Sequence, residues 1–91
     1  MAEVTDNAAL NRYEMTVDGE TAFVAYVRRG DTLTLVHTEV PQAMAGHGVG
    51  STLARAVLED ISRRDLRVVP ECAFMAAFIA RHREFADLVA D

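Results

Sequence analysis

"HTEVPQAMAGHGVGSTLARAVLED", residues 37–60, changes character in its middle. It begins as the end of an extended run, "TLTLVHTEV", which Pro41 stops because proline has no N–H to give to a strand ladder. From Val49 the period is helical: Leu53, Ala54, Val57, Leu58 and Ile61 share one stripe, with Ser51, Arg55, Glu59 and Ser62 on the other side. Arg63 and Arg64 close that helix where cations complement its dipole. Between strand and helix lie Gly46, Gly48 and Gly50.

Upstream, "NRYEMTV" alternates Tyr13, Met15 and Val17 with polar neighbours, the period of a half-buried strand. Asp18 and Gly19 give a hairpin turn. "TAFVAYVRR" is apolar on both parities, which predicts a central strand covered on two faces. Gly30 and Asp31 turn the chain into the third strand. Downstream, "LRVV" predicts a short strand ended by Pro70, and "AFMAAFIARH" a second helix with Phe74, Phe78 and Phe85 at core spacing. Strand, loop, helix, strand is a crossover unit, so the Thr32–Glu39 and Leu66–Val69 strands are expected to run parallel. Their carboxyl ends then share one sheet edge, where open α/β sheets bind ligands. The glycine loop, His37 and Cys72 should collect there.

Composition narrows the function. The 91 residues, 51% hydrophobic, suit one domain spanning 1–91, with a core that buries roughly 60–65% of the unfolded surface. A net charge of −5 argues against a nucleic-acid surface. All nine basic residues are arginines. Met1 to Asn11 lacks the pattern of a signal peptide, and the apolar run Ala73 to Ala80 is too short to span a membrane, so no membrane partner is expected. With a single cysteine no internal disulfide can form, and a reducing, cytoplasmic setting fits.

Glycines at 46, 48 and 50 can take positive φ and turn successive N–H groups inward as an anion nest, to which the following helix adds its own free N–H groups and dipole. Pyrophosphate is a natural occupant. The same glycines would also serve a plain strand-to-helix turn. No lysine follows them, so the phosphate loop of nucleotide hydrolases is excluded, and Ser51 stands where the dinucleotide fingerprint needs its third glycine.

"HTEVPQAMAGHGVGSTLARAVLED" together with "VVPECAFMAAFIARHREFADLV" resembles the small stand-alone GNAT-like acetyltransferases, a minimal branch of the GNAT superfamily of acetyl-CoA-dependent N-acetyltransferases. The resemblance runs from about Tyr13 to Val89 and rests on H-T-E-V-P, G-x-G-x-G and a later C-x-F. It implies an α/β fold of minimal GNAT type, in which antiparallel N-terminal strands precede a β-α-β crossover with a splayed parallel pair and a C-terminal helix. It implies acetyl-CoA as cosubstrate, contacted by Val40, Ala45, Gly46, His47, Gly48, Val49, Gly50, Ser51 and Phe74, with its pyrophosphate on the backbone of Ala45 to Gly50. His37 and Cys72 match the family's proposed catalytic pair. The acceptor itself cannot be read from the sequence; an amine of a small molecule or of a protein is expected, as is a monomeric state. Ala45 departs from the pattern, since relatives usually carry Arg or Gln there; Arg55, one helical turn from Ser51, either supplies that charge or is a solvated helix arginine. Arg83 stands where relatives often have proline.

Residue chemistry leaves both catalytic candidates open. Cys72 is either a small buried hydrophobe or a nucleophile whose thiolate is favoured by the helix beginning at Ala73, with Glu71 opposing. His37 is a structural strand histidine or a base with a suitable ordinary pKa of about 6.5. Glu39 shares its face in a regular strand and could orient it or receive the acceptor's cation; a bulge would make that parity uncertain. Metal chemistry has little support: H-x-E at 37–39 lacks the paired cysteines of a zinc deaminase, and neither His47 nor His82 has a partner at ligand spacing. Arg29, Gly30 and Asp31 spell an adhesion tripeptide but read as a turn. Two alternatives to an acetyltransferase remain: a non-catalytic acyl-CoA binding or sensing module, and an interaction module that uses a sheet edge. The chain is too short for the helices and strands that frame the acceptor in full-length relatives, so an open acceptor side is expected.

Overall fold

The computed structural model describes residues 3–90. Met1, Ala2 and Asp91 lie outside the described residues, and with them the start of the N-terminal stretch tested above for a signal. Five strands form one sheet: β1 (Val4–Asn7), β2 (Arg12–Val17), β3 (Glu20–Arg29), β4 (Thr32–Glu39) and β5 (Arg67–Pro70), in that spatial order. The first three pairings are antiparallel, and β4 with β5 is parallel, as the crossover requires. α1 (Val49–Arg63) connects that pair, and α2 (Ala73–Arg81) follows β5. A 3-10 segment, Arg83–Leu88, brings the chain back to the sheet, where Ala90 N–H donates to the Val68 carbonyl at 2.8 Å.

Local sequence explains most of this. Asp18 and Gly19 both have positive φ, 51° and 81°, the conformation that matches strand twist in a two-residue hairpin. The α1 stripe Leu53, Ala54, Val57, Leu58 and Ile61 is fully buried, packed in one core with Tyr13, Val24, Leu33, Leu35, Val68, Met75 and Phe78. Burying each large aliphatic side chain is worth roughly 1.5–3 kcal/mol, so this stripe is what fixes the helix to the sheet. Of the three phenylalanines expected in the core, Phe78 and Phe85 are buried, while Phe74 is half-buried against the core.

Two expectations are corrected. β3 is covered on one face only. Ala22, Val24 and Tyr26 are buried, but on the other face Phe23 and Ala25 are half-buried and Val27 is 46% exposed. Both helices belong to a single core, and the outer apolar positions are shielded by neighbouring side chains instead: the Arg12 guanidinium lies 4.5 Å from the Phe23 ring centre. The second correction is β1, absent from the pattern-based reading. Its four residues, VTDN, carry one apolar side chain, and the strand exists through its pairing with β2 and the reach of Tyr26 Oη to Asp6 at 2.6 Å.

Candidate cofactor and acyl-transfer site

After Glu39 the chain passes through Val40 and Pro41 into a 3-10 turn, Gln42–Met44, pinned by buried Met44. The amide of Ala45 bonds the Gln42 carbonyl at 3.0 Å, and that of Thr52 bonds the Gly48 carbonyl at 3.0 Å. Among the described residues, the six amides between them, Gly46 to Ser51, have no protein acceptor. Gly46 and Gly48 take φ of +84° and +70°, the left-handed region that any side chain would strain. α1 starts with Gly48 as its N-cap, so no side chain caps its first amides, and its first turn holds no acid. A run of donors at an uncapped helix start with no negative charge of its own has the chemistry that anion binding needs.

Gly50 corrects the third glycine of the nest. It lies inside α1, without positive φ. Its missing side chain serves packing: a Cβ there would approach Phe74 Cζ to 3.0 Å and Val40 Cγ2 to 3.7 Å. Val40, Gly50 and Phe74 thus form the joint where the end of β4 meets the first turns of α1 and α2. His47 is exposed and lines a cavity of about 480 Å³ with Asp18, Glu20 and Met44 against the β2–β3 turn. Ala45, Val49 and Ser51 complete the segment; Val49 is buried, and Ala45 and Ser51 are exposed.

A bulge decides which face His37 takes. Leu35 pairs with Tyr26 and His37 with Ala25, so Val36 is an extra residue in β4. Without it His37 would fall on the core side with Leu33 and Leu35. With it, His37 and Glu39 lie on the open face opposite Ala25 and Phe23, and Thr38, opposite Val24, turns inward. Because the bulge precedes His37, the two side chains still share a face: His37 Nε2 and Glu39 Oε1 are 3.2 Å apart, both about 60% exposed, and the His37 ring lies 5.9 Å from that of Phe23.

Cys72 sits immediately before α2, half-buried, its amide donating to the Leu35 carbonyl at 2.9 Å. Its thiol meets Thr38, Sγ to Oγ1 3.1 Å. Burial would raise this thiol's pKa, but hydrogen bonds from Thr38 and from the backbone amides of Met75, Phe74 and Thr38 outweigh it and hold it below the ordinary cysteine value. The parallel pair therefore brings His37 and Cys72 to one sheet edge, as expected, yet no hydrogen bond joins them, and the group that touches the sulfur is Thr38. Sequence reasoning missed Thr38 because only the bulge turns it inward.

Arg55 is neither free nor bare. Its Nη1 meets Glu84 Oε2 at 3.3 Å, and its guanidinium lies 5.9 Å from the Phe78 ring centre and 5.5 Å from that of Phe85. Among the described residues no cluster of His, Cys, Asp or Glu could hold a metal ion, and no helix is long and apolar enough to cross a membrane.

The fold has a counterpart among solved structures. The fold is similar to that of a GCN5-like protein from Staphylococcus aureus, determined by NMR in solution, with a TM-score of 0.74 and 22% identity over 97% of this chain and 87% of that one. Protein NATD1 of Bos taurus is 40% identical over 45 residues, 50% of this chain and 40% of that protein, so the match spans less than half of the curated relative. The profile of the GCN5-related N-acetyl-transferase family matches residues 12–88, from the start of β2 to the last 3-10 segment, and the chain belongs to that family.

Proposed function

We propose that the protein transfers an acetyl group from acetyl-CoA to an amine acceptor. The observation that carries this reading is the row of six acceptorless amides, Gly46 to Ser51, at an uncapped, acid-free helix start. Those amides, with the Ser51 hydroxyl, would hold the pyrophosphate, and Val40 and Phe74 would offer apolar surface beside it. The positive φ at Gly46 and Gly48 supports the fit, since left-handed residues of this kind are what anion-binding backbone nests are built from. Bound acetyl-CoA supplies an activated acyl thioester; the protein's part is to place it and to manage protons.

Two routes have support on this geometry. In one, His37, held by Glu39 on the open face, takes the proton of an attacking amine. In the other, the Cys72 thiolate, favoured by Thr38 and the α2 amides, accepts the acetyl group and passes it to the amine, with CoA leaving as its thiol in the first step. The chain has no lysine, so acetylation of the protein itself is easily interpreted. After incubation with acetyl-CoA and no acceptor, the cysteine route yields one adduct released by neutral hydroxylamine and absent in Cys72→Ala. The direct route yields none, and His37→Ala then loses most activity while Cys72→Ala retains it. Tight CoA binding with neither adduct nor transfer to any amine would leave a binding module, a reading that Ala45, without the family's usual side chain, also suits.

A further inference from the structure

One turn along α1 from the amide row, a cleft of about 320 Å³ opens between α1 and α2. Ser51, Thr52, Arg55 and Glu59 line it from α1, Phe78 and His82 from α2 and its end. Ser51 and Arg55 are four residues apart, a rise of about 6 Å along the same side of the helix. Resting on the acetyl-CoA reading above, we propose that this cleft is a subsite for a phosphate monoester, the 3′-phosphate of CoA, with Arg55 as its principal ligand.

The arrangement around Arg55 is more specific than a solvated arginine requires. Phe78 and Phe85 lie beside the guanidinium and restrict its position. Among the described residues only its Nη1 is engaged, by one carboxylate oxygen of Glu84 at 3.3 Å, a monodentate contact that leaves the rest of the planar fork for a second oxyanion. His82 stacks on Phe78 with ring centres 3.9 Å apart, and its Nδ1–H donates to the Phe78 carbonyl at 2.9 Å, which leaves Nε2 as its only other hydrogen-bonding atom. Ser51 and Thr52 bring hydroxyls to the same wall. A phosphate monoester fits this set because it presents several oxygens to one guanidinium. Glu59 and Glu84 oppose it, and Glu84 does so by competing for Arg55. This competition gives the proposal two variants with opposite signs.

The experiment measures the affinities of CoA, 3′-dephospho-CoA and inorganic phosphate by calorimetry for the wild type, Arg55→Ala, Arg55→Lys and Glu84→Gln. The wild type should prefer CoA to dephospho-CoA by about ten-fold or more, the scale of a charge-assisted contact. Arg55→Ala should weaken CoA by a similar factor and leave dephospho-CoA within about two-fold, with Arg55→Lys between. Glu84→Gln should tighten CoA by several-fold and leave dephospho-CoA unchanged, a gain that no general loss of folding can imitate. Equal losses with both ligands would make Arg55 a packing residue and overturn the proposal, as would equal wild-type affinities for the two. Inorganic phosphate binding that depends on Arg55, with CoA and dephospho-CoA alike, would assign the cleft to a separate phosphorylated ligand and overturn the CoA assignment. If the folded wild type binds neither form of CoA, the acetyl-CoA reading itself fails, a result distinct from the others.

Discussion

Gly48 and Gly50 stand two residues apart and lack a side chain for different reasons. At Gly48 the backbone has φ +70°, with no atom within 4 Å of where a Cβ would sit, so conformation forbids the side chain and space does not. Gly48→Val is therefore expected to cost about 1–3 kcal/mol in backbone strain and to weaken CoA binding at least about ten-fold, by turning the amides out of the nest. Unchanged CoA affinity in a folded Gly48→Val protein would end the anion-loop reading. Thr38 carries a second test at this scale. Its hydroxyl helps hold the Cys72 thiol pKa low, so Thr38→Val should move the pH midpoint of Cys72 alkylation by iodoacetamide upward, and Thr38→Ser should restore it. An unmoved midpoint in Thr38→Val would assign the lowered pKa to the α2 amides alone.

At the scale of elements, the joint of β4, α1 and α2 shows what the sequence could and could not disclose. The α1 stripe was legible because its helical period coincides with burial at all five positions, Leu53 to Ile61. The bulge at Val36 was not, since "LTLVHTEV" fits a regular strand equally well, and no turn residue marks the extra position. Hence the sheet edge of the site was readable, while the faces taken by His37 and Thr38 were not. β1 was hidden for another reason: its pairing with β2 is supplied by backbone, and Asp6 takes its side-chain partners, Tyr26 and Arg64, from far along the chain. Gly50 makes the α1–α2 contact testable. Its Cβ site lies 3.0 Å from the tip of the half-buried Phe74 ring, which can turn aside. Gly50→Ala gains helix propensity while displacing that ring, so its stability should stay within about 1 kcal/mol of wild type. Gly50→Val, with more volume at the same point, should lose about 1–3 kcal/mol in urea unfolding. Equal stability of the two variants would mean that Phe74 does not set the spacing of the helices.

Across the whole molecule, the candidate site and the main polar tie of the fold lie at opposite ends of α1. Near Arg64, Tyr13 Oη donates to Asp60 at 2.6 Å, Tyr26 Oη donates to Asp6 at 2.6 Å, and Arg64 bridges Asp6 at 2.9 Å and Asp60 at 3.0 Å. This cluster joins β1, β2 and β3 to the end of the helix. Burial pushes the Tyr13 and Tyr26 hydroxyls up, helped by their hydrogen bonds to Asp60 and Asp6, and Tyr26 reaches about 12. Asp60 moves the other way: burial would raise its pKa, but the bonds from Tyr13 and Arg64, with the charges of Arg64 and Arg63, hold it below the usual carboxylate range. Because its folded value is depressed, the native state binds fewer protons than the unfolded state. Its stabilisation is complete above an unfolded value of about 3.9 and is lost as pH falls through the folded value. The tyrosines act in reverse, contributing fully below about pH 10 and losing that contribution as pH rises through their folded values. Asp60→Asn removes the carboxylate and is expected to cost about 1–3 kcal/mol at neutral pH. In a domain of this size that is about 4–8 °C of melting temperature per kcal/mol. The gap between variant and wild type should close as urea unfolding is repeated from pH 6 down to pH 2. The start of α1 lies eleven residues away, about 17 Å along the helix, so CoA affinity of folded Asp60→Asn should stay within about two-fold of wild type. A constant stability gap at every pH would remove Asp60 ionisation as the cause, and a large loss of CoA affinity would show that the two ends of α1 are coupled.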